Sequence, residues 1–144
     1  MIKKELTNSR QAKDALNHGT FVTVPRWLAT IANLSPTELL IYMTIKEATD
    51  KAALQLYTGS VKGLCALWNV SIPTARKALE TLEARGFIRK GFIRRNGKSM
   101  VAYEAYEIGT RADIKEGKLF EILNRNKVRT EQFRQNGSNF RRNI

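Results

Sequence analysis

The chain has 144 residues, enough for one domain with tails, and 42% of them are apolar, so it should fold around a modest core. Lys and Arg number 25 against 13 Asp and Glu, and the resulting charge of +12 favours a polyanionic partner, either nucleic acid or an anionic membrane surface. A single cysteine, Cys65, excludes an internal disulfide framework, and a single histidine, His18, argues against a zinc site, so neither metal nor cofactor is expected.

The longest apolar run, Leu39–Met43, covers five residues. A bilayer span needs about 18. The N-terminal lysines have no apolar stretch behind them, so no secretory leader is expected. These features predict a soluble cytoplasmic protein that does not use a membrane.

Residues 1–20 are polar with scattered apolar positions and read as an N-terminal arm, either a weak helix or mobile chain, ending at His18-Gly19. Phe21-Val22-Thr23-Val24 alternates like a short strand that Pro25 closes. A turn or two of helix is expected between Arg26 and Asn33. Ser35-Pro36-Thr37-Glu38 then has capping-box spacing with Pro at the first helical position, which predicts a helix from Pro36 to near Ala52. Its stripe of Leu39, Leu40, Ile41, Tyr42, Met43, Ile45 and Ala48 should form the centre of the core. Leu54–Thr58 reads as a small strand.

Ser60 is placed to cap a second helix with Leu64, Cys65, Leu67 and Trp68 facing inward, and Asn69 suits the left-handed conformation that stops it. Ser71 caps a third helix whose first turn tolerates Pro73 and whose buried stripe is Ala75, Ala78, Leu79 and Leu82. Gly86 is its expected stop. Asn96-Gly97 predicts a type I′ hairpin that pairs Arg95 with Lys98, Ile93 with Met100, Phe92 with Val101 and Arg89 with Glu104. Beyond Gly109, residues 114–124 are expected to be helical, and residues 128–144, rich in Asn, Gln and Arg, to be flexible.

The short turn between the second and third helices, with small Cys65 at the crossing and Ala75 and Ala78 on the buried face, has helix-turn-helix spacing. The segment from Val70 to Ile88, a capped helix leading through Gly86 into a strand, resembles the winged-helix superfamily of DNA-binding proteins. The Phe21–Trp27 segment ahead of a Ser-Pro-capped helix is similar to small plasmid and phage winged-helix proteins, replication initiators and regulators among them. The resemblance implies an α+β winged helix, with a three-helix helix-turn-helix core and a basic β-hairpin wing. The arm of residues 1–20 would precede a DNA-binding domain of residues 21–109, followed by a basic C-terminal extension of residues 110–144.

By the same resemblance, Ser71 and Thr74 would approach phosphates or base edges, and Arg76 and Lys77 would face the major groove. Arg94, Arg95 and Lys98 would reach the backbone or neighbouring minor groove, and Lys62 would touch phosphate. Arg suits bidentate contact with guanine, whereas Lys more often meets phosphate. Ile72 and Pro73 depart from the usual polar pattern and imply thin base readout there.

Each assignment has a plainer rival. Arg76 and Lys77 alone would read as a solvated helix face. Six cations from Arg85 to Lys98 with no acidic residue among fourteen positions argue otherwise. Glu104 can offset Arg89, which leaves Arg89 and Lys90 evenly placed between contact and support. Trp27 and Trp68 read as packing residues, Cys65 as a small buried one, and Glu80, Glu83, Glu104 and Glu107 as members of salt pairs.

The expected partner is double-stranded DNA, with no small-molecule substrate evident and no catalytic constellation. The favoured role is transcriptional regulation of a mobile element or bacterial chromosome, in the bacterial cytoplasm or nucleoid. Replication initiation, partition or transfer through origin repeats is the alternative, and a protein-interaction module is the third. Winged-helix proteins commonly bind paired half-sites as homodimers, for which the arm or residues 114–124 would supply an interface.

Overall fold

The computed structural model describes residues 25–52 and 54–140. The expected arm and the Phe21–Val24 strand lie outside the described residues. Helix α1 (Trp27–Thr30) buries Leu28 and leads to α2 (Pro36–Lys51). The predicted capping box closes α2: the Ser35 hydroxyl accepts from the Glu38 N–H at 3.2 Å, and the Glu38 carboxylate accepts from the Ser35 N–H at 3.0 Å. This helix buries Ile41, Tyr42, Met43 and Ile45, whereas Leu39, Leu40 and Ala48 are only half-buried.

The expected strand at residues 54–58 contracts to one antiparallel bridge, Tyr57 to Tyr103, with N···O distances of 2.8 and 3.0 Å. Helix α3 (Val61–Trp68) starts at Ser60, whose hydroxyl accepts from the Gly63 N–H, and stops at Asn69, which is left-handed with φ of 55°. Leu64 is fully buried, and Cys65 and Trp68 are half-buried against the core. Leu67 departs from expectation: it lies 54% exposed, because Val61, Leu64, Cys65 and Trp68 define the inward face and Leu67 falls roughly a third of a turn away from its centre.

Helix α4 (Ile72–Arg85) follows after the Ser71 cap and buries Ala75, Ala78, Leu79 and Leu82 as the periodicity requires. It ends at Gly86, with φ of 91°. That residue has to be glycine for a second reason, since a methyl there would lie 2.5 Å from the Leu123 carbonyl oxygen.

Strands β1 (Ile88–Arg95) and β2 (Lys98–Ala105) form the hairpin in the expected register, with positive φ at both Asn96 and Gly97. The core lies beneath α2, α3, α4 and the hairpin root, where the Phe87 ring meets Tyr42 edge-on at 5.5 Å. Each fully buried Ile41, Ile45, Leu64 and Leu82 contributes about 2 kcal/mol by leaving water.

The C-terminal part differs most from expectation. A short α5 (Arg111–Lys115) precedes a turn at Gly117, and α6 runs from Leu119 to Gln135, well into the stretch expected to be flexible. Helix α6 buries Leu119, Ile122, Leu123, Asn126 and Thr130, spaced at i, i+3, i+4, i+7 and i+11. Asn126 and Thr130 are polar, which hid the stripe, but both are satisfied: Asn126 donates to the Gly86 carbonyl at 2.9 Å, and Thr130 bonds the Tyr106 hydroxyl at 2.8 Å.

Gly137 (φ of 90°) ends the helix in a Schellman turn, with the Ser138 N–H on the Phe133 carbonyl and the Gly137 N–H on the Arg134 carbonyl. The chain then lays a parallel bridge along β1, with Phe92 N–H to Ser138 O at 2.7 Å and Phe140 N–H to Phe92 O at 2.9 Å. Phe140 is buried, and a methyl on Gly91 would lie 2.6 Å from both its ring and the Ser138 carbonyl. The tail up to Phe140 is therefore part of the fold.

Candidate nucleic-acid interface

Helix α4 presents its surface by arithmetic. Its buried positions fix the outward line, one hundred degrees per residue, as Pro73, Lys77, Glu80 and Ala84, and all four are exposed. Arg76 and Glu83 flank this line on the hairpin side, where they line a groove with Leu79, Lys90, Met100 and Val101. Burial and then Glu83 push the Tyr103 hydroxyl above its usual pKa, and the Arg76 guanidinium opposes them across that groove. Arg76 thus sits beside the hairpin, and Lys77 faces directly outward. Neither forms an ion pair among the described residues.

At the head of α4, the Ser71 hydroxyl accepts from the Thr74 N–H at 3.3 Å and donates to the Thr74 hydroxyl at 2.8 Å. The pair first serves as the helix cap, and both residues remain exposed at the positive end of the helix. Ile72 is 37% exposed beside them. Lys62 projects from α3, exposed and without an acidic partner among the described residues.

The hairpin divides its cations. At the tip, Arg94, Arg95 and Lys98 are exposed, and Arg94 donates to the Gly97 carbonyl at 3.1 Å. At the root, Arg89 pairs with Glu104 at 2.7 Å with both side chains only 19% exposed, and its guanidinium lies 4.2 Å over the Phe133 ring. Arg85 donates to the Ala32 carbonyl and lies over Phe87. Arg89 is therefore built into the fold, and only Lys90 of the evenly placed pair stays exposed.

The acidic residues mostly match their expected pairing. Glu83 meets Arg134 at 3.2 Å and accepts from the Lys90 N–H, Glu104 meets Arg89, and Glu107 meets Lys46 at 3.0 Å. Burial alone would lower the Lys46 pKa, but Asp50 and Glu107 together raise it. Glu80 is the exception, with no ion pair or hydrogen bond among the described residues.

Trp68 donates its indole N–H to Thr44 at 2.8 Å, and both tryptophans pack half-buried against the core, as packing residues do. Among the described residues, no cluster of three or more His, Cys, Asp or Glu side chains could hold a metal, and no helix is long and apolar enough to cross a membrane.

Residues 32–88 match the family model described as a helix-turn-helix domain, a segment that takes in α2, α3, α4 and the first residue of β1. No curated protein and no solved structure matches the chain at a significant level. Helices followed by a two-stranded antiparallel hairpin complete the α+β winged form of that domain. The chain thus has the winged helix-turn-helix fold, with residues 32–88 similar to the helix-turn-helix domain family.

Proposed function

We propose that this chain is a non-catalytic, sequence-specific binder of double-stranded DNA that regulates transcription on a bacterial chromosome or mobile element. The observation that carries the proposal is the set of exposed cations without acidic partners among the described residues: Lys62, Arg76 and Lys77 around the helix-turn-helix, and Arg94, Arg95 and Lys98 at the hairpin tip. In this reading α4 enters the major groove, with Ser71 and Thr74 at its head against the backbone. The tip follows the neighbouring phosphates or the minor groove. Neutralising phosphates releases counterions, which is how a net charge of +12 becomes affinity.

Alanine substitution separates positioning from reading. Arg94→Ala should weaken binding across many sequences, while Arg76→Ala should mainly change the preferred sequence. Unaltered duplex binding in Arg76→Ala, Lys77→Ala and Arg94→Ala variants would instead make this surface a protein-interaction module. Footprinting on the host replicon assigns the process: protection across a promoter supports regulation, whereas protection of direct repeats at an origin supports replication initiation, partition or transfer.

A further inference from the structure

We propose that Glu80 is a specificity-determining residue of the α4 surface, accepting a hydrogen bond from the exocyclic amine of a cytosine in the major groove. The inference rests on the duplex-DNA reading above and deepens it.

Glu80 stands in the outward line of α4, next to Lys77 and exposed. Its acidic neighbours are occupied: Glu83 by Arg134 and the Lys90 N–H, and Glu131 by Arg134. Arg76 lies one turn earlier but forms no pair with Glu80. The order, cation before acid, is the weaker one for an i,i+4 pair on a helix. A carboxylate with no partner among the described residues thus lies on the face that a strongly basic protein would turn toward phosphates.

Such a group repels the backbone and most base edges. In the major groove, guanine shows two acceptors, thymine shows an acceptor and a methyl, and adenine sets an acceptor beside its amine. Only cytosine offers a donor alone, so a carboxylate at this position selects against the other three bases. Arg76 and Glu80 are separated by about 6 Å of helix rise. Base pairs stack every 3.4 Å or so, which lets an Arg76–guanine contact and a Glu80–cytosine contact fall within about two steps of each other. This pairing would also supply the base readout that Ile72 and Pro73 do not.

Selection of bound sequences from a random duplex library, with the full chain and its Glu80→Ala and Glu80→Gln variants, tests the inference. Circular dichroism checks that each variant is folded. The wild type should select a motif with one position where cytosine is preferred about tenfold. Glu80→Ala should lose preference at that position alone and bind unrelated duplexes more tightly. Glu80→Gln should move the preference toward adenine, whose amine and acceptor match an amide. A motif unchanged in Glu80→Ala, or duplex binding with no sequence preference at all, overturns this inference and leaves duplex binding standing. Failure of the wild type to bind duplex DNA overturns both.

Discussion

The root and the tip of one hairpin carry similar charges in different surroundings. At the root, Arg89 is held between Glu104 and the Phe133 and Phe140 rings, and Arg85 is spent on the Ala32 carbonyl and Phe87. At the tip, Arg94, Arg95 and Lys98 are exposed with no acidic partner among the described residues. A run of like charge is therefore not one feature. Partners on the neighbouring elements decide which cations stabilise the fold and which stay exposed.

The strongest way to break the comparison is to unseat the cover over the root. Phe140→Ala should cost about 3 kcal/mol of stability in chemical denaturation, because it empties a buried ring site against Gly91 and Phe133. A change below half that value would mean the tail does not hold the wing. Arg89→Ala comes next, at about 2 kcal/mol, since it leaves the Glu104 carboxylate partly buried without its partner; the remaining exposure of both groups keeps the cost below that of a fully buried pair. Arg89→Lys should recover little, because an ammonium cannot lie flat over the rings.

The tip should behave oppositely. Joint replacement of Arg94, Arg95 and Lys98 by alanine should leave stability within about 0.5 kcal/mol and weaken duplex binding at least tenfold, roughly 1.4 kcal/mol. Loss of stability instead would erase the distinction between root and tip.

The smallest effect lies far from both, at the cap of α5. The Thr110 N–H and hydroxyl donate to the Asp113 carboxylate and hold its pKa below the usual carboxylate value. A depressed folded pKa means stability that is present above the ordinary value and lost as pH falls through the depressed one. Asp113→Asn should therefore lower the melting temperature slightly at neutral pH, and the difference from wild type should vanish on acidification. A difference that persisted in acid would point to packing rather than charge.

The comparison also shows what a sequence reveals. The Ser35, Ser60 and Ser71 caps, the Asn69 and Gly86 stops and the Asn96-Gly97 turn were legible because each is a local signal with a backbone reason. The hairpin register followed from its turn. Helix α6 was only half legible: Asn126 and Thr130 interrupt its apolar stripe, and their burial depends on the Gly86 carbonyl and Tyr106 hydroxyl, groups far away in the chain. Gly137, with its positive φ, is the local signal that the helix has a defined end.

For the candidate site, exposure of Arg76, Lys77 and the tip cations was readable from periodicity and register. That Glu80 has no partner among the described residues was not, since pairing is a matter of three-dimensional neighbours. The same holds for Arg89: its register partner Glu104 follows from the turn, but its aromatic cover comes from a tail whose composition reads as flexible.

The most direct test is the salt dependence of duplex binding by the wild type and by the variant lacking Arg94, Arg95 and Lys98. The wild-type logarithm of affinity should fall linearly with the logarithm of salt concentration, and the variant's slope should be shallower by about three, close to one per lost phosphate contact. Binding that ignores salt, or a slope that the tip substitutions leave unchanged, would contradict the assignment of these cations to DNA.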